Sequence, residues 1–222
     1  MIKNKKDIDV LLELDKENLI NKIEKDEISH DMLLSVLKKW GGDKEVVISI
    51  LQKSAEYVSE ISDDLRSDKE VMLIAMQEDS VYMSYASEVL KDDKGFVLQA
   101  IDLGCCSLTQ VSERLLNDRD VAMMSVGING LDLCFLNNKF KDDKDVVLTA
   151  VTQHADALRY ASERLQQDIE LLILLREKSF LKGKWYEQRM EYLTYMESVL
   201  EDEAWMIENS AVASSKSKIR KF

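Results

Sequence analysis

The chain has 222 residues, of which 45% are hydrophobic and 32% are charged; this composition is typical of a globular protein, and no apolar stretch approaches the roughly 20 residues of a membrane-spanning helix. Seven glycines and no proline are too few turn-forming residues for an all-β sandwich with tight corners, so the composition predicts a mostly helical protein. The formal net charge of −12 argues against general nucleic-acid binding and against binding to anionic membranes, because both need clustered lysine and arginine.

The first 42 residues are predicted to form an N-terminal helical cap (residues 1–42). Their opening sequence, MIKNKKDIDVLLELDKEN, has no apolar core of the kind that a secretory signal needs, which favours a cytoplasmic location. Leu33, Val36 and Trp40 stand where a second helix would place its apolar residues if a degenerate repeat began near Asn18.

An aspartate recurs every 25 residues, and each one opens a similar phrase such as DKEVVISI or DKDVVLTA. A carboxylate at this place is typical of a helix N-cap, and an acidic residue two positions later favours the positive end of the helix, with Gly95 as the exception. The anchoring aspartates are Asp43, Asp68, Asp93, Asp118, Asp143 and Asp168.

A first helix is predicted directly after each anchoring aspartate. Apolar residues follow 3, 4, 5, 7 and 8 positions later, which is the spacing of one broad buried face, as in Val46, Val47, Ile48, Ile50 and Leu51 or Val146, Val147, Leu148, Ala150 and Val151. Residues that tolerate a turn or a left-handed backbone stand 11 positions after the aspartate, where we expect the helix to end: Ser54, Asp79, Gly104, Asn129 and His154.

A second helix is predicted from apolar residues 15, 18 and 22 positions after the aspartate, because spacings of three and four return side chains to one helical face. In the fifth repeat these residues are Leu158, Ala161 and Leu165. Serines 19 positions after the aspartate give an alternative, in which each caps a new short turn and divides the second helix in two. These serines are Ser62, Ser87, Ser112 and Ser162.

The predicted fold is all-α, an α-solenoid of about five 25-residue helical-hairpin repeats over residues 43–167 with helical caps at both ends. A helix pair this short cannot enclose its own apolar face, so neighbouring repeats must stack. The frame is lost after Asp168, and residues 168–213 are predicted to be C-terminal capping helices, with one long helix from about Trp185 to Asn209. Residues 214–222 are predicted to be a basic disordered tail.

The segment DKDVVLTAVTQHADALRYASERLQQD resembles the repeat of an uncharacterised bacterial domain-of-unknown-function family, D-[RK]-E-V-V-L-x-A-V followed by A-L-x-Y-A-S-x-x-L. The resemblance covers roughly residues 43–170 and is weakest between Asp118 and Lys141, where Phe135, Leu136, Asn137 and Asn138 replace Y-A-S-E. It implies a helical repeat, and it implies no activity, cofactor or catalytic residue.

The candidate partner-binding residues lie in the second half of three repeats. Tyr85, Phe135 and Tyr160 each stand 17 positions after an aspartate, which predicts a row of aromatic side chains. Such a row is suited to grip a peptide or a partner helix, and the alternative is ordinary packing between repeats. The repeat from Asp118 to Phe140 departs most from the pattern and adds three further candidates: Leu131, Asn137 and Asn138.

No residue pattern predicts a catalytic, cofactor-binding or metal site. The sequence lacks G-x-S-x-G, a glycine-rich phosphate loop and H-E-x-x-H, and its two histidines, His30 and His154, are isolated. The cysteines lack the spacing of a disulfide set or a zinc site, so we expect reduced thiols in or near the core. They are Cys105, Cys106 and Cys134.

These observations favour a noncatalytic protein-interaction module with a protein partner, and with no cofactor, nucleic acid or membrane as ligand. Residues 43–167 carry −10 of the net charge of −12, which gives an alternative: an acidic inhibitor or nucleic-acid mimic that occupies the basic groove of a nucleic-acid-handling enzyme. An enzyme with an unrecognised site is a third hypothesis, and it requires a deep polar pocket with perturbed ionisable groups.

Overall fold

The computed structural model describes residues 5–177 and 187–201, and every regular element within those ranges is helical. The chain forms two compact units, Met1–Ile128 with Phe135–Asn137 and Asn129–Cys134 with Asn138–Phe222. Among the described helices, none combines the length and hydrophobicity needed to cross a membrane. The fold class is an all-α helical repeat of the solenoid type, as the sequence predicts.

The N-terminal segment contains three helices, α1 (Lys5–Leu12), α2 (Lys16–Glu24) and α3 (His30–Trp40). The second of them begins after Asp15, whose carboxylate accepts a hydrogen bond from the Asn18 N–H. Asp15, three residues before Asn18, is thus the N-cap of this helix. Leu33 and Val36 are buried, because α3 packs against the first repeat.

A first helix follows every anchoring aspartate. In each repeat the carboxylate accepts hydrogen bonds from backbone N–H groups of the first turn; Asp68, for example, accepts from Glu70 and Val71. The predicted N-caps are thus confirmed at all six positions. These helices are α4 (Lys44–Leu51), α5 (Lys69–Glu78), α7 (Lys94–Asp102), α9 (Arg119–Ile128), α11 (Lys144–Gln153) and α13 (Ile169–Glu177).

The second half of each repeat is divided in two, as the serine alternative predicts. A short 3₁₀ helix comes first, and a single turn follows the serine; Ser87 Oγ accepts from the Leu90 N–H, and the Ser87 N–H donates to the Arg66 carbonyl of the previous repeat. The 3₁₀ helices are η1 (Ala55–Glu60), η2 (Leu65–Ser67), η3 (Ser80–Tyr85), η4 (Leu108–Gln110), η5 (Gly130–Phe135) and η6 (Ala155–Tyr160), and the single α-turns are α6 (Glu88–Lys91), α8 (Glu113–Leu116), α10 (Asn138–Lys141) and α12 (Glu163–Gln166).

The prediction of a buried residue five positions after the aspartate is wrong in most repeats. Leu148 is 38% exposed, and Ile48 is half-buried. The residues at the third, fourth, seventh and eighth positions already fill the buried arc of the helix. The fifth position is rotated by about 100° from the fourth and leaves that arc.

The first helices end where predicted, but the left-handed backbone expected there occurs only at Gly104, with φ of +69°. Ser54, Asp79 and His154 have extended backbones instead, with φ of −160°, −154° and −143°. An extended residue at this place lets the chain leave the helix directly into the following 3₁₀ segment, so no glycine is required.

Successive first helices pack side by side within each unit: α2, α4, α5, α7 and α9 in the first unit, and α11 beside α13 in the second. A lysine directly after one anchoring aspartate forms an ion pair with the next anchoring aspartate. The Nζ–carboxylate distances are 2.8 Å for Lys44–Asp68, Lys69–Asp93 and Lys94–Asp118, and 2.9 Å for Lys144–Asp168.

The C-terminal part of the second unit is helical over residues 187–201. Leu193 is buried there, and Glu197 accepts a hydrogen bond from Arg176 of α13 at 2.9 Å. This helix lies within the predicted span from Trp185 to Asn209. Trp185, Asn209, Trp205 and the predicted tail at 214–222 lie outside the described residues.

Candidate functional site

Aromatic side chains project from the 3₁₀ segments. Tyr85, Phe135 and Tyr160 are 40%, 49% and 43% exposed, although the residue after each of them is buried. In a 3₁₀ helix the side chains at i and i+3 lie on one edge, so Tyr82 and Tyr85 of η3 share an edge. The local geometry therefore turns these rings outward.

The outer edge of η3 carries a pair of tyrosines. Tyr82 and Tyr85 are related by this i, i+3 spacing, and their ring centroids are 6.4 Å apart at an interplanar angle of 37°. Val81, beside them, is 57% exposed. Met83, on the opposite edge of the same segment, is completely buried and anchors it to the core.

Three carboxylates lie near Tyr82 of this pair. The Glu78 side chain accepts from the Ala55 N–H of the preceding repeat at 2.6 Å, and Asp79 accepts from the Val81 N–H at 2.9 Å. Glu56 lies on the adjoining η1, which packs against η3. We call these residues together the tyrosine face: Glu56, Glu78, Asp79, Val81, Tyr82 and Tyr85.

The electrostatics of the tyrosine face are negative. The pKa of the Tyr82 hydroxyl is raised, first by burial and then by the negative charges of Glu78, Glu56 and Asp79. Within the described part of the chain, no lysine, arginine or histidine nitrogen lies within 4 Å of the carboxylates of Glu78 and Asp79. The face thus combines aromatic surface with negative charge.

In the preceding repeat, the tyrosine at the corresponding position is buried. Tyr57, 14 positions after Asp43, is buried, and its hydroxyl lies 2.6 Å from Nδ1 of His30. His30 also lies 3.6 Å from Glu56 Oε1. Since His30 of α3 covers this ring, the exposed aromatic surface begins one repeat later, at Tyr82.

The other predicted residues occupy varied environments. Leu131 and Asn138 belong to the second unit, where the former is half-buried and the latter is exposed. Asn137, in the first unit, donates from Nδ2 to the Leu116 carbonyl at 3.3 Å. Asn137 occupies the repeat position of the capping serines, and this hydrogen bond links it to the preceding repeat.

Sequence reasoning missed the carboxylates of the tyrosine face and also Asp132 of η5. Asp132 is half-buried and accepts from Asn129 Nδ2 at 2.8 Å. Burial raises its pKa from the ordinary 3.8 to about 6. The available signal was an acid inside the apolar run LDLCF, at the position where other repeats have Tyr57, Tyr82 or Ala157.

The histidine and cysteine side chains that the sequence singled out differ in exposure. His154 is exposed at the end of α11, while Cys105 is buried and Cys106 and Cys134 are half-buried thiols. Over residues 5–177 and 187–201, no three His, Cys, Asp or Glu side chains are grouped so that they could hold a metal ion.

Comparison with protein families gives a repeated match to the domain of unknown function DUF4116, over residues 43–91, 93–141, 118–166 and 143–174. Each match begins at an anchoring aspartate, and the longer ones span two 25-residue repeats. Neither the curated proteins nor the solved structures gave a match. Because the family matches cover more than half of the chain, the protein belongs to the DUF4116 family of helical repeats.

Proposed function

We propose that this protein is a noncatalytic helical-repeat module that binds a protein partner through an exposed surface of fixed shape. The observation that carries the proposal is the outward projection of Val81 and Tyr85 from η3. The core of this repeat is filled by other residues, such as the fully buried Met83 and Leu90, which is 2% exposed. The exposed Tyr85 ring and the Val81 side chain are therefore available for a partner, and aromatic anchors dominate the energetics of interfaces.

The backbone that carries these side chains is held at several points. Asp79 caps the start of η3, the Ala86 N–H donates to the Met83 carbonyl at its end, and Lys91 Nζ donates to the Ser84 carbonyl at 3.2 Å. Such a preorganised surface loses little conformational entropy on binding, which favours affinity. We therefore place the interaction surface on the tyrosine face.

The nucleic-acid mimic has weaker support. A mimic needs carboxylates that are free to imitate phosphates, whereas the anchoring aspartates cap helices and most of them also pair with lysines, as in Lys44–Asp68 and Lys94–Asp118. Salt separates the two hypotheses, because a mimic's binding falls steeply between about 50 and 200 mM salt while an apolar contact persists. Cytoplasmic location stays a prediction of the sequence.

The proposal is tested by site-specific photocrosslinking in the full chain. A photoreactive phenylalanine derivative replaces Tyr85 in one protein and Val89 in a control; Val89 is 76% exposed on α6. The variants are irradiated in lysate of the organism that encodes the chain, at about 50 and 200 mM salt. We expect one defined protein to be crosslinked from position 85 at both salt concentrations and not from position 89.

Two results would contradict the proposal. Equal crosslinking from both positions would show that capture is nonspecific, and a product that appears only at low salt and is displaced by DNA would support the mimic instead. A second variant, Tyr85→Ser with the photoreactive group at Val81, should lose most of the product if the ring itself contributes to binding.

A further inference from the structure

We propose that the tyrosine face recognises an arginine or lysine side chain in a basic segment of a protein partner; this inference rests on the proposed function and specifies the chemistry of the partner. The face supplies the two elements that bind a cationic side chain: aromatic rings on η3, and carboxylates on η1, at the end of α5 and at the N-cap of η3.

The aromatic element is the Tyr82–Tyr85 pair. The ring centroids are 6.4 Å apart and the planes are tilted by 37°, so a cationic group placed at the exposed side of the pair contacts one ring face while its methylene stem lies against the other ring. A cation within about 6 Å of a ring centroid is attracted by the negative face of the ring. Arginine is favoured over lysine, because its planar guanidinium also stacks on the ring.

The carboxylate element is already in place before binding. The hydrogen bond between Glu78 and the Ala55 N–H and the cap formed by Asp79 fix both side chains. Neither carboxylate has a cationic partner within 4 Å in the described part of the chain, so an incoming cation displaces no intramolecular ion pair. Glu56 adds a third negative charge, 56% exposed, from the preceding repeat.

The surroundings limit the size of the ligand. On one side the equivalent ring, Tyr57, is covered by His30. On the other side the equivalent position is Ser107, which has no ring, so the aromatic surface ends within one repeat. Val81, 57% exposed, offers a small apolar contact beside the tyrosines. An aromatic surface confined to one repeat, with Val81 beside it, suits one cationic side chain and an adjacent apolar residue of the partner.

The same charges argue against nucleic acid or an anionic lipid as the occupant. Phosphates would be placed beside Glu56, Glu78 and Asp79, and of these carboxylates only Glu56 has a basic group within 4 Å in the described part of the chain, His30 at 3.6 Å. Charge complementarity therefore selects a basic protein segment.

The test uses the full chain and a pair of synthetic peptides. One peptide contains a single arginine flanked by leucines, and the control contains the uncharged isostere citrulline in its place. Amide and tyrosine ring signals are followed by NMR as each peptide is added up to about 5 mM. We expect the arginine peptide to shift the signals of residues 78–85 and the citrulline peptide to bind at least about tenfold more weakly.

Variants locate the interaction. Glu78→Gln keeps an acceptor for the Ala55 N–H but removes the charge, and Tyr85→Leu removes the ring; each should weaken the arginine peptide by about three- to tenfold. The matched controls are Glu113→Gln and Tyr195→Leu, which remove an exposed carboxylate and an exposed ring elsewhere. These controls should leave the affinity unchanged.

Equal binding of the two peptides, the absence of shifts over residues 78–85, or equal effects of test and control variants would each overturn the inference. The proposed function is judged separately by the photocrosslinking experiment. Suppose that position 85 captures a specific protein, and that this protein still binds after every basic residue in its contacting segment is replaced. The proposed interaction module would then be supported, and only the recognition of a cation would be wrong.

Discussion

The Nζ atom of Lys44 lies 2.8 Å from the carboxylate of Asp68, which begins the next repeat. The same carboxylate accepts hydrogen bonds from the N–H groups of Glu70 and Val71, so one side chain both caps α5 and links two repeats. Burial by itself would raise the pKa of Asp68, but the Lys44 side chain and the Val71 N–H outweigh it and hold the pKa below the ordinary 3.8. The 25-residue period is therefore also the period of an electrostatic contact.

Asp68→Ala is predicted to lower the free energy of unfolding by about 1–2 kcal/mol, the typical loss for a helix N-cap. Asp68→Asn should lose less, because the amide oxygen still accepts from the backbone while the ion pair with Lys44 is lost. Urea denaturation at low and high salt measures both variants. The loss of unfolding free energy in Asp68→Asn should shrink in high salt, whereas the loss in Asp68→Ala should largely persist. If each variant shows the same loss at both salt concentrations, the contributions of the cap and of the ion pair are not separable here.

Asp132→Asn is predicted to stabilise the protein at neutral pH. The folded chain raises the pKa of Asp132 from 3.8 to about 6, so the folded state retains the proton to higher pH than the unfolded state. The carboxyl therefore destabilises the fold progressively as the pH rises from about 4 to about 6, and the cost is full above that range. At pH 7 the variant should gain about 1–3 kcal/mol.

The gain from Asp132→Asn should nearly vanish at pH 4, where the folded wild type is already protonated. Denaturation at pH 4 and pH 7 makes the comparison, with Asp102→Asn as an exposed control that should change stability little at either pH. If Asp132→Asn stabilises the protein equally at pH 4 and at pH 7, the pKa of Asp132 is not raised in the folded state.

Gly130→Ala is predicted to lose about 1–3 kcal/mol of stability. A Cβ at Gly130 would stand 2.1 Å from the Ala150 carbonyl oxygen and 3.0 Å from the His154 nitrogen, so the backbone of η5 or α11 must move. Gly42→Ala is the matched control, because the nearest atom to its Cβ is Ser62 Oγ at 4.0 Å. Thermal denaturation of the two variants should differ clearly, and a Gly130→Ala protein as stable as Gly42→Ala would refute the close approach.

Phe135 and Leu131 are predicted to be tolerant of substitution, in contrast to Leu133 between them. Phe135→Ala, at a 49% exposed ring, should change the free energy of unfolding by less than about 1 kcal/mol, and Leu131→Ala by less than the core variant. Leu133→Ala, at a completely buried side chain, should cost about 2–5 kcal/mol. Chemical denaturation ranks the three variants; a large loss for Phe135→Ala would place its ring in the core and remove it as a partner-binding candidate.

The amino-acid sequence by itself determined the repeat, its starting points and the helix caps. These features are local: Asp43 reaches N–H groups two and three residues later, and Ser87 reaches Leu90. Local hydrogen bonds and apolar spacing are encoded in neighbouring positions, so a period of 25 residues makes them visible. The sequence left open whether the serines divide the second helix, because a serine is tolerated both inside a helix and at its start.

Tertiary structure alone decided which side chains face outward and which are brought together. The Ser87 N–H finds its acceptor in Arg66 of the previous repeat, and that contact fixes the break before α6. Glu78 joins the tyrosine face because it bonds to Ala55, 23 residues earlier. Tyr57 and Tyr82 occupy the same repeat position, yet only Tyr57 is covered, by His30 of the N-terminal cap. Exposure and charge environment depend on neighbours distant in the chain, and the spacing within one repeat carries no information about them.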